Sequence, residues 1–414
     1  MCIQGPVKDT VDDPFFAMQH MRRRFLTSCT TVEVPRLVLC TAPNCRMHPI
    51  KYDGNELLTK SKHAIISEFW TRECLYVHNF IFCNLLGFSC HGVDYKNGNT
   101  CLLLDPFKGE ILMLPTTSDV LQVSANTVWR QDSYGMGFDN KTNTYKIVRI
   151  SYHHKYKKGQ LSELTTEVLV LGTSSWRELP VVPPCYVTSK SASADGDMHW
   201  LVNGDTKDLS ASSIRILSFD FKKEKFYWTP HPAALEKKPS LWNFLHVLNF
   251  KGSLALVEFP SSEDKYMKIW ALKNNYGNKE WVLNYKIDVG QYLLSLPLGN
   301  LCLSECGEWE HGIFFNQQNK DSSSILFVDL TRISMKNVLL KGPMHTMEVF
   351  SCTDSMISLK NYGDLVEPQE EQEGVTECPM SQETDENLTK AEESNGRDFV
   401  FLRTQTEPAC VSGS

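Results

Sequence analysis

Between residues 102 and 340 the chain repeats one unit five times: an apolar run, a polar turn, then a second run often carrying Trp or Leu. The copies are Leu102-Leu103-Leu104-Asp105 with Ile111 to Leu114, Val168 to Leu171 with Trp176 and Leu179, and Ile216 to Asp220 with Phe226-Tyr227-Trp228. Ile269 to Leu272 with Trp281 to Leu283 and Ile325 to Asp329 with Val338 to Leu340 complete the set. Runs this short, bounded by Gly, Asn, Lys and Ser, read as strands of hairpins. Each copy follows an earlier apolar segment: Met136 to Val148, Met198 to Leu201, Leu254 to Val257, or Ile313-Phe314-Phe315. Two hairpins per repeat make a four-stranded sheet. A spacing of roughly 50 to 60 residues fits the blades of a kelch-like β-propeller.

The expectation is therefore an all-β fold of about six blades. The sixth is assembled from both termini, with Arg36 to Leu39 and the stretch near Ile65-Ile66 joining Val349-Phe350-Ser351 and Met356 to Leu359. Closure of that kind leaves no sheet edge at the ring seam. Two packed β-sandwiches are the alternative architecture.

Three regions follow. Residues 1–30 hold a short helical candidate with Asp12 or Asp13 as its cap, Pro14 in the first turn, and Phe15, Phe16, Met18, Met21 and Phe25 on one side. Arg22, Arg23 and Arg24 stand at the end that favours positive charge. Residues 31–362 form the β-domain. Residues 363–414 read as a disordered acidic tail, with Phe399 to Leu402 an unstructured apolar patch.

Of the net charge of −7, residues 367–398 carry eleven acidic and two basic side chains, or −9, which leaves +2 for the rest. A nearly neutral body offers no concentrated basic face for nucleic acid. The start, Met1-Cys2-Ile3-Gln4-Gly5, lacks a signal pattern, and no run approaches a membrane span. The expected location is cytoplasmic or nuclear, with the fourteen Cys reduced and no use for the glycosylation-like triplets at Asn140 and Asn387.

Several groups invite a chemical reading. Gly135-Met136-Gly137 lacks the third Gly and the Lys-Ser/Thr pair of a nucleotide loop, and reads as a tight strand entry. Cys40, Cys45 and His48, and Cys83, Cys90 and His91, lack the second pair of a zinc site and read as incidental. His199 reads as a packed histidine, and Ser174-Ser175 as a turn without a nucleophile elbow. Trp176, Trp200, Trp228, Trp270 and Trp281 are assigned to packing between blades, whereas partner contacts are expected on loops such as Tyr152 to Tyr156 or Trp242 to Phe244. A glycosidase-like channel would need facing carboxylates, and Asp105, Asp220 and Asp329 fall at turns instead. No cofactor, metal or catalytic residue is expected.

Five segments, in order, carry a resemblance. Tyr134-Gly-Met-Gly-Phe-Asp through Tyr145-Lys-Ile-Val-Arg149, Glu167-Val-Leu-Val-Leu-Gly-Thr-Ser-Ser-Trp-Arg177 and Gly196-Asp-Met-His-Trp-Leu201 are three of them. The others are Ile216-Leu-Ser-Phe-Asp with Glu224, Phe226 and Pro230, and Ile269-Trp-Ala-Leu-Lys-Asn-Asn-Tyr-Gly with Trp281. Together they resemble the F-box-associated interaction domain of plant F-box proteins, except that Ser89-Cys90-His91-Gly92 carries His where the family has Asn. Asp13 to Arg22 resembles the end of an F-box, and only that end is matched. The resemblance implies a substrate-recognition adaptor of a cullin-type ubiquitin ligase. Pro14, Phe15, Phe16, Met18, His20 and Met21 would be the remnant that docks a Skp-type linker protein, itself held by a cullin scaffold, and the β-domain would hold a target protein. The alternative is a decoy or regulatory binding module with no working F-box.

Overall fold

The computed structural model describes residues 34–366 and 404–408. Excluded within the first range are the segments 42–45, 55–56, 60–73, 93–99, 117–126, 156–162, 188–189, 204–213, 236–243, 261–263, 276–277, 291, 293–302, 319–322, 341–346 and 354–356. The expected N-terminal helix and Ile65-Ile66 lie outside the described residues, as does most of the tail.

Six antiparallel sheets form a ring of blades, each ordered from the axis outward. Blade I holds β4 (Cys74–Phe82), β5 (Leu85–Gly92), β6 (Thr100–Asp105) and β7 (Glu110–Met113). Blade II holds β8 (Thr127–Asp139), β9 (Thr144–Lys155), β10 (Glu163–Val170) and β11 (Arg177–Leu179). Blade III holds β12 (Ser191–Ala194), β13 (Asp197–Asn203), β14 (Ile214–Asp220) and β15 (Lys225–Thr229). Blade IV holds β16 (Leu245–Phe250), β17 (Ser253–Glu258), β18 (Tyr266–Asn275) and β19 (Asn278–Asp288). Blade V holds β20 (Leu303–Trp309), β21 (Gly312–Gln318), β22 (Ser323–Asp329) and β23 (Ser334–Leu340), and β25 (Thr404–Pro408) pairs with β23 as a fifth strand. Blade VI places β24 (Met347–Cys352) beside β1 (Arg36–Thr41), β2 (Arg46–Tyr52) and β3 (Leu57–Thr59). The β24–β1 register runs from Arg36 opposite Cys352 to Thr41 opposite Met347, so strands from both ends of the domain close the ring.

All five repeat units are the outer hairpins of blades I to V. Their strands read as unbroken apolar runs because each blade packs a neighbour on both faces. Ile325 and Leu326 show the consequence. Adjacent residues of β22, they point to opposite faces, and they enter two different cores.

One expected strand is corrected. Ile357 to Leu359 does not join the sixth blade. It forms a strap leading from β24 to blade I, where Ser358 Oγ (2.8 Å) and the Leu359 N–H donate to the buried Glu110 carboxylate. Lys108 Nζ donates to the Ile357 carbonyl at 2.8 Å, and the Val366 N–H donates to the Ile111 carbonyl at 2.9 Å. Ile357 and Leu359 are fully buried. Three strands from the N-terminal side already fill blade VI, so the apolar residues of this stretch find their burial on blade I instead.

Candidate recognition face

Strand direction divides the propeller into two unlike faces. In every blade the innermost strand ends, and the second begins, on one face. That face also carries the turn between the third and fourth strands. Its connections within the chain run two to six residues, from 195–196 to 171–176. On the opposite face the connections run four to fifteen residues, from 319–322 to 230–244. The first is called here the turn face and the second the loop face.

The turn face is built from a recurrent local device. Asp105, Asp139, Asp220 and Asp329 each end a strand, and the Oδ1 of each accepts a backbone N–H two residues on, at 2.8–2.9 Å. Four residues after each Asp comes a positive φ, at Gly109, Asn143, Glu224 and Ile333. Side-chain acceptance by Asp and one left-handed residue are what this hairpin geometry needs. Asp105, Asp220 and Asp329 are thus turn residues. Between blades II and III one such turn is latched. Lys146 Nζ lies 2.9 Å from Asp139 and 2.8 Å from Glu224, and Arg177 donates to both Glu224 oxygens at 2.8 and 2.7 Å. Burial alone would lower the Lys146 pKa, but the hydrogen bonds to Glu224 and Asp139 outweigh it and hold it high. The N-terminal segment also enters here. Arg36 opens β1 at the turn face, its guanidinium 3.5 Å from the Phe107 ring centre.

A cavity of about 110 Å³ lies on the axis, walled by β4, β12, β16, β20 and β24. It holds Ser191, Ser193, Asn249, Ser304, Glu305 and Glu308. Glu305 and Glu308 share strand β20, so they do not stand across the channel from each other as a glycosidase pair would. Burial pushes the Glu308 carboxyl up to about 7, against the lowering effect of the Lys251 N–H at 2.9 Å. A carboxyl raised in the folded state holds a proton that the unfolded chain releases earlier, so stability falls as pH rises from about 4.5 through 7. Replacing Glu308 by Gln is expected to remove that loss, stabilising the protein by about 1–3 kcal/mol at pH 8 and little at pH 4. Urea unfolding at the two pH values measures it.

The other sequence candidates fall as follows. His199 is buried, with Nδ1 2.7 Å from Ser218 Oγ and Nε2 3.3 Å from the Ala194 carbonyl. Burial pushes its pKa down to about 3. Ser218 Oγ also bonds Thr229 Oγ1 at 2.6 Å and is wholly buried, so this Ser–His pair is a packing element. Cys83 sits at the turn-face end of β5, and Cys90 and His91 at its loop-face end, roughly 20 Å away at strand rise. His48 pairs with Leu39 and Cys40 with Met47, so the two side chains project from opposite faces of the sheet; Cys45 is outside the described residues.

Gly135 and Gly137 lie within β8, and the reason for both is the next blade. A Cβ on Gly137 would come within 2.1 Å of the Phe221 ring and 2.7 Å of the Gly196 carbonyl. Close approach between blades, not strand entry, selects glycine here. Trp176 Nε1 donates to Pro115 of blade I at 2.7 Å, and Trp281 Nε1 to the Pro230 carbonyl after blade III at 2.5 Å. Trp200 is buried in the core and Trp270 packs against one. Trp228 breaks the pattern. It is exposed on the outermost strand of its blade, with Arg215 5.4 Å from its ring.

On the loop face, Tyr152 meets Tyr186 edge-to-face at 5.3 Å. Phe244 is half-buried between two cores, which takes it out of the set of free loop contacts. Tyr156, Trp242 and the expected linker-docking residues Pro14, Phe15, Phe16, Met18, His20 and Met21 lie outside the described residues. The Val182–Tyr186 stretch gives no repeat or motif signal in the sequence. Only its Pro content could have drawn attention to it.

The chain is similar to F-box proteins of Arabidopsis thaliana. It is 27% identical over 216 residues to the F-box/LRR-repeat protein At2g43260, covering 50% of this chain and 48% of that protein. It is 27% identical over 231 residues to the F-box protein At3g07870, covering 50% and 51%. The chain thus spans about half the length of these curated relatives. Among solved structures it is similar to AofleA from Arthrobotrys oligospora, with 6% identity, a TM-score of 0.36 and coverage of 79% of this chain and 88% of that one. Among the described residues no helix is long and apolar enough to cross a membrane. Residues 49–362, three quarters of the chain, match the model of the F-box associated beta propeller domain, and the chain belongs to that family.

Proposed function

We propose that the chain is the substrate-recognition adaptor of a cullin-type ubiquitin ligase and carries out no covalent chemistry itself. The observation that supports this reading is the division of labour between the two faces. The N-terminal segment, whose Asp13 to Arg22 resembles the end of an F-box, enters at Arg36 on the turn face. The long connections, loops carried by the rigid blades, all lie opposite. An adaptor needs that polarity, with the linker protein on one side and the target on the other. Its effect is to raise the effective concentration of a target lysine near the charged conjugating enzyme.

Co-expression with a Skp-type linker protein, followed by a sizing column, tests the ligase half of the proposal. The expected result is a stable one-to-one complex. Separate elution of two folded proteins would leave the chain as a binding module without a ligase, the decoy reading.

A further inference from the structure

We propose that the axial cavity binds a small organic ammonium ion, its nitrogen seated at the turn-face end between Glu308 and Asn249. The cavity lies between the two faces of the ring, so this holds whether or not the chain joins a ligase.

The site is built where the inner strands end together. β4, β12, β16, β20 and β24 all run toward the turn face, and Cys83, Ser193, Asn249, Glu308 and Thr353 line the cavity there, each within one residue of its strand's end. Glu308 is only 9% exposed. Its Oε2 accepts the Lys251 N–H at 2.9 Å. Among the described residues its Oε1 has no hydrogen-bond partner, and no cation pairs with the carboxyl. Asn249 is held in the same way. Its Nδ2 donates to the Ser193 carbonyl at 2.9 Å, which fixes the amide and leaves Oδ1 as an acceptor. Ser193 Oγ in turn donates to the Met136 carbonyl of blade II at 3.3 Å. Each side chain is thus positioned by one hydrogen bond and keeps a second acceptor. Lys251, which holds Glu308, lies two residues after Asn249, so β16 and β20 bring the two acceptors to one corner of the cavity.

A carboxyl with no paired cation beside an amide oxygen selects a ligand that is positive and donates. Burial of a carboxylate is tolerated when it is paired, and an ammonium group offers three N–H donors and no acceptor. The charged and titratable groups around Glu308 are Lys251 from the turn after β16, Lys190 ahead of β12, Cys83 after β4, and Glu305 and Cys306 on its own strand. Lys251 Nζ donates to Tyr285 Oη at 3.3 Å, and Lys190 Nζ donates to the Leu245 carbonyl at 3.1 Å, toward the loop face. Neither ammonium forms an ion pair with Glu308. Burial outweighs the Lys251 charge and holds the carboxyl at about 7, so a bound cation takes the place of a proton. Size argues for an organic ion. A cavity of about 110 Å³ is several times the roughly 10–15 Å³ that one water needs, and a bare metal ion would leave most of it to solvent. An ammonium with a short hydroxyl-bearing body fits, its body directed toward the hydroxyls of Ser191 and Ser304 nearer the loop face.

The test titrates ethanolamine, positive at both pH values used, into the full chain in sodium phosphate buffer, read by isothermal calorimetry. Ethylene glycol and potassium chloride serve as the neutral and inorganic probes. Saturable one-site binding of ethanolamine is expected at pH 8, and at least tenfold weaker binding at pH 5.5, where Glu308 holds its proton. Glu308→Gln should weaken binding tenfold or more at pH 8 and remove the pH dependence, and Asn249→Ala should weaken it severalfold. Glu310→Gln, which removes an exposed charge just past β20, should leave affinity within twofold. Glu308→Gln is expected to melt no lower than the parent, so its loss of binding reports the site and not the fold. Absence of saturable ethanolamine binding, or binding that survives Glu308→Gln, overturns the proposal. So does equally tight binding of ethylene glycol. Displacement of ethanolamine by an equal concentration of potassium also overturns it, and would assign the site to an inorganic cation.

Discussion

Arg149→Met is expected to destabilise the protein by about 3–5 kcal/mol, a large share of the roughly 5–15 kcal/mol that keeps an ordinary domain folded. Arg149 lies on β9 with no exposed surface. Its Nη2 reaches Asp132 at 3.1 Å, and its Nη1 reaches Glu167 on β10 at 2.5 Å. Asp132 also accepts Ser151 Oγ at 2.7 Å. One cation thus compensates two carboxylates from its neighbouring strands, all inside the blade. Removing it withdraws that positive charge from two buried carboxylates, and the resulting desolvation cost sets the magnitude. A triple variant that adds Asp132→Asn and Glu167→Met should recover most of the loss, because the cost belongs to uncompensated charge and not to the missing volume. Urea unfolding of the three proteins separates the two causes. A single variant as stable as the parent would mean that water reaches the site.

Gly137→Ala is expected to cost about 3 kcal/mol, at the upper end of overpacking in a core. The added methyl meets the Phe221 ring from blade III and also the backbone oxygen of Gly196. The ring can shift; the carbonyl belongs to a two-residue hairpin, Asp195-Gly196, with positive φ at both residues, and cannot. Phe221→Leu in the same chain should therefore restore only part of the stability. Gly252→Ala is the contrasting case. Nothing lies within 4 Å of its Cβ position, but φ is +81°, so the expected cost of about 1–2 kcal/mol is backbone strain alone. Thermal melts that rank Gly137→Ala well below Gly252→Ala would show that contact between blades, and not local conformation, is what selects glycine in β8.

The outer hairpins were legible because both faces of a blade are covered. Leu102-Leu103-Leu104 and Ile325 to Val328 have no polar side to interrupt them. The inner strands were much harder to read for the opposite reason: they face the axial cavity. Ser191-Ala-Ser-Ala194 and Ser304-Glu-Cys-Gly-Glu308 look like loops by composition, yet they are β12 and the middle of β20. Met356 to Leu359 looked like a strand because apolar content does not say which neighbour will cover it. The Asp residues at blade ends are legible as turn residues, but their shared spacing to a left-handed position is not, since Asn143, Glu224 and Ile333 are unlike one another. Tyr152 stood out in the sequence; its partner Tyr186 did not, because an extended segment outside any sheet leaves no repeat.

On this reading of the fold, the two faces of the propeller serve two kinds of partner. Cross-linking in cells with a lysine-reactive reagent, followed by mass spectrometry of the purified chain, shows which face meets which partner. Lys108, Lys141, Lys223 and Lys251 mark the turn face, and Lys155 and Lys265 the loop face. Links are expected from the turn-face lysines to the linker protein or cullin, and from Lys155 and Lys265 to proteins outside the ligase. Links to those other proteins that gather on the turn face, with the loop face bare, would overturn the assignment of the two faces.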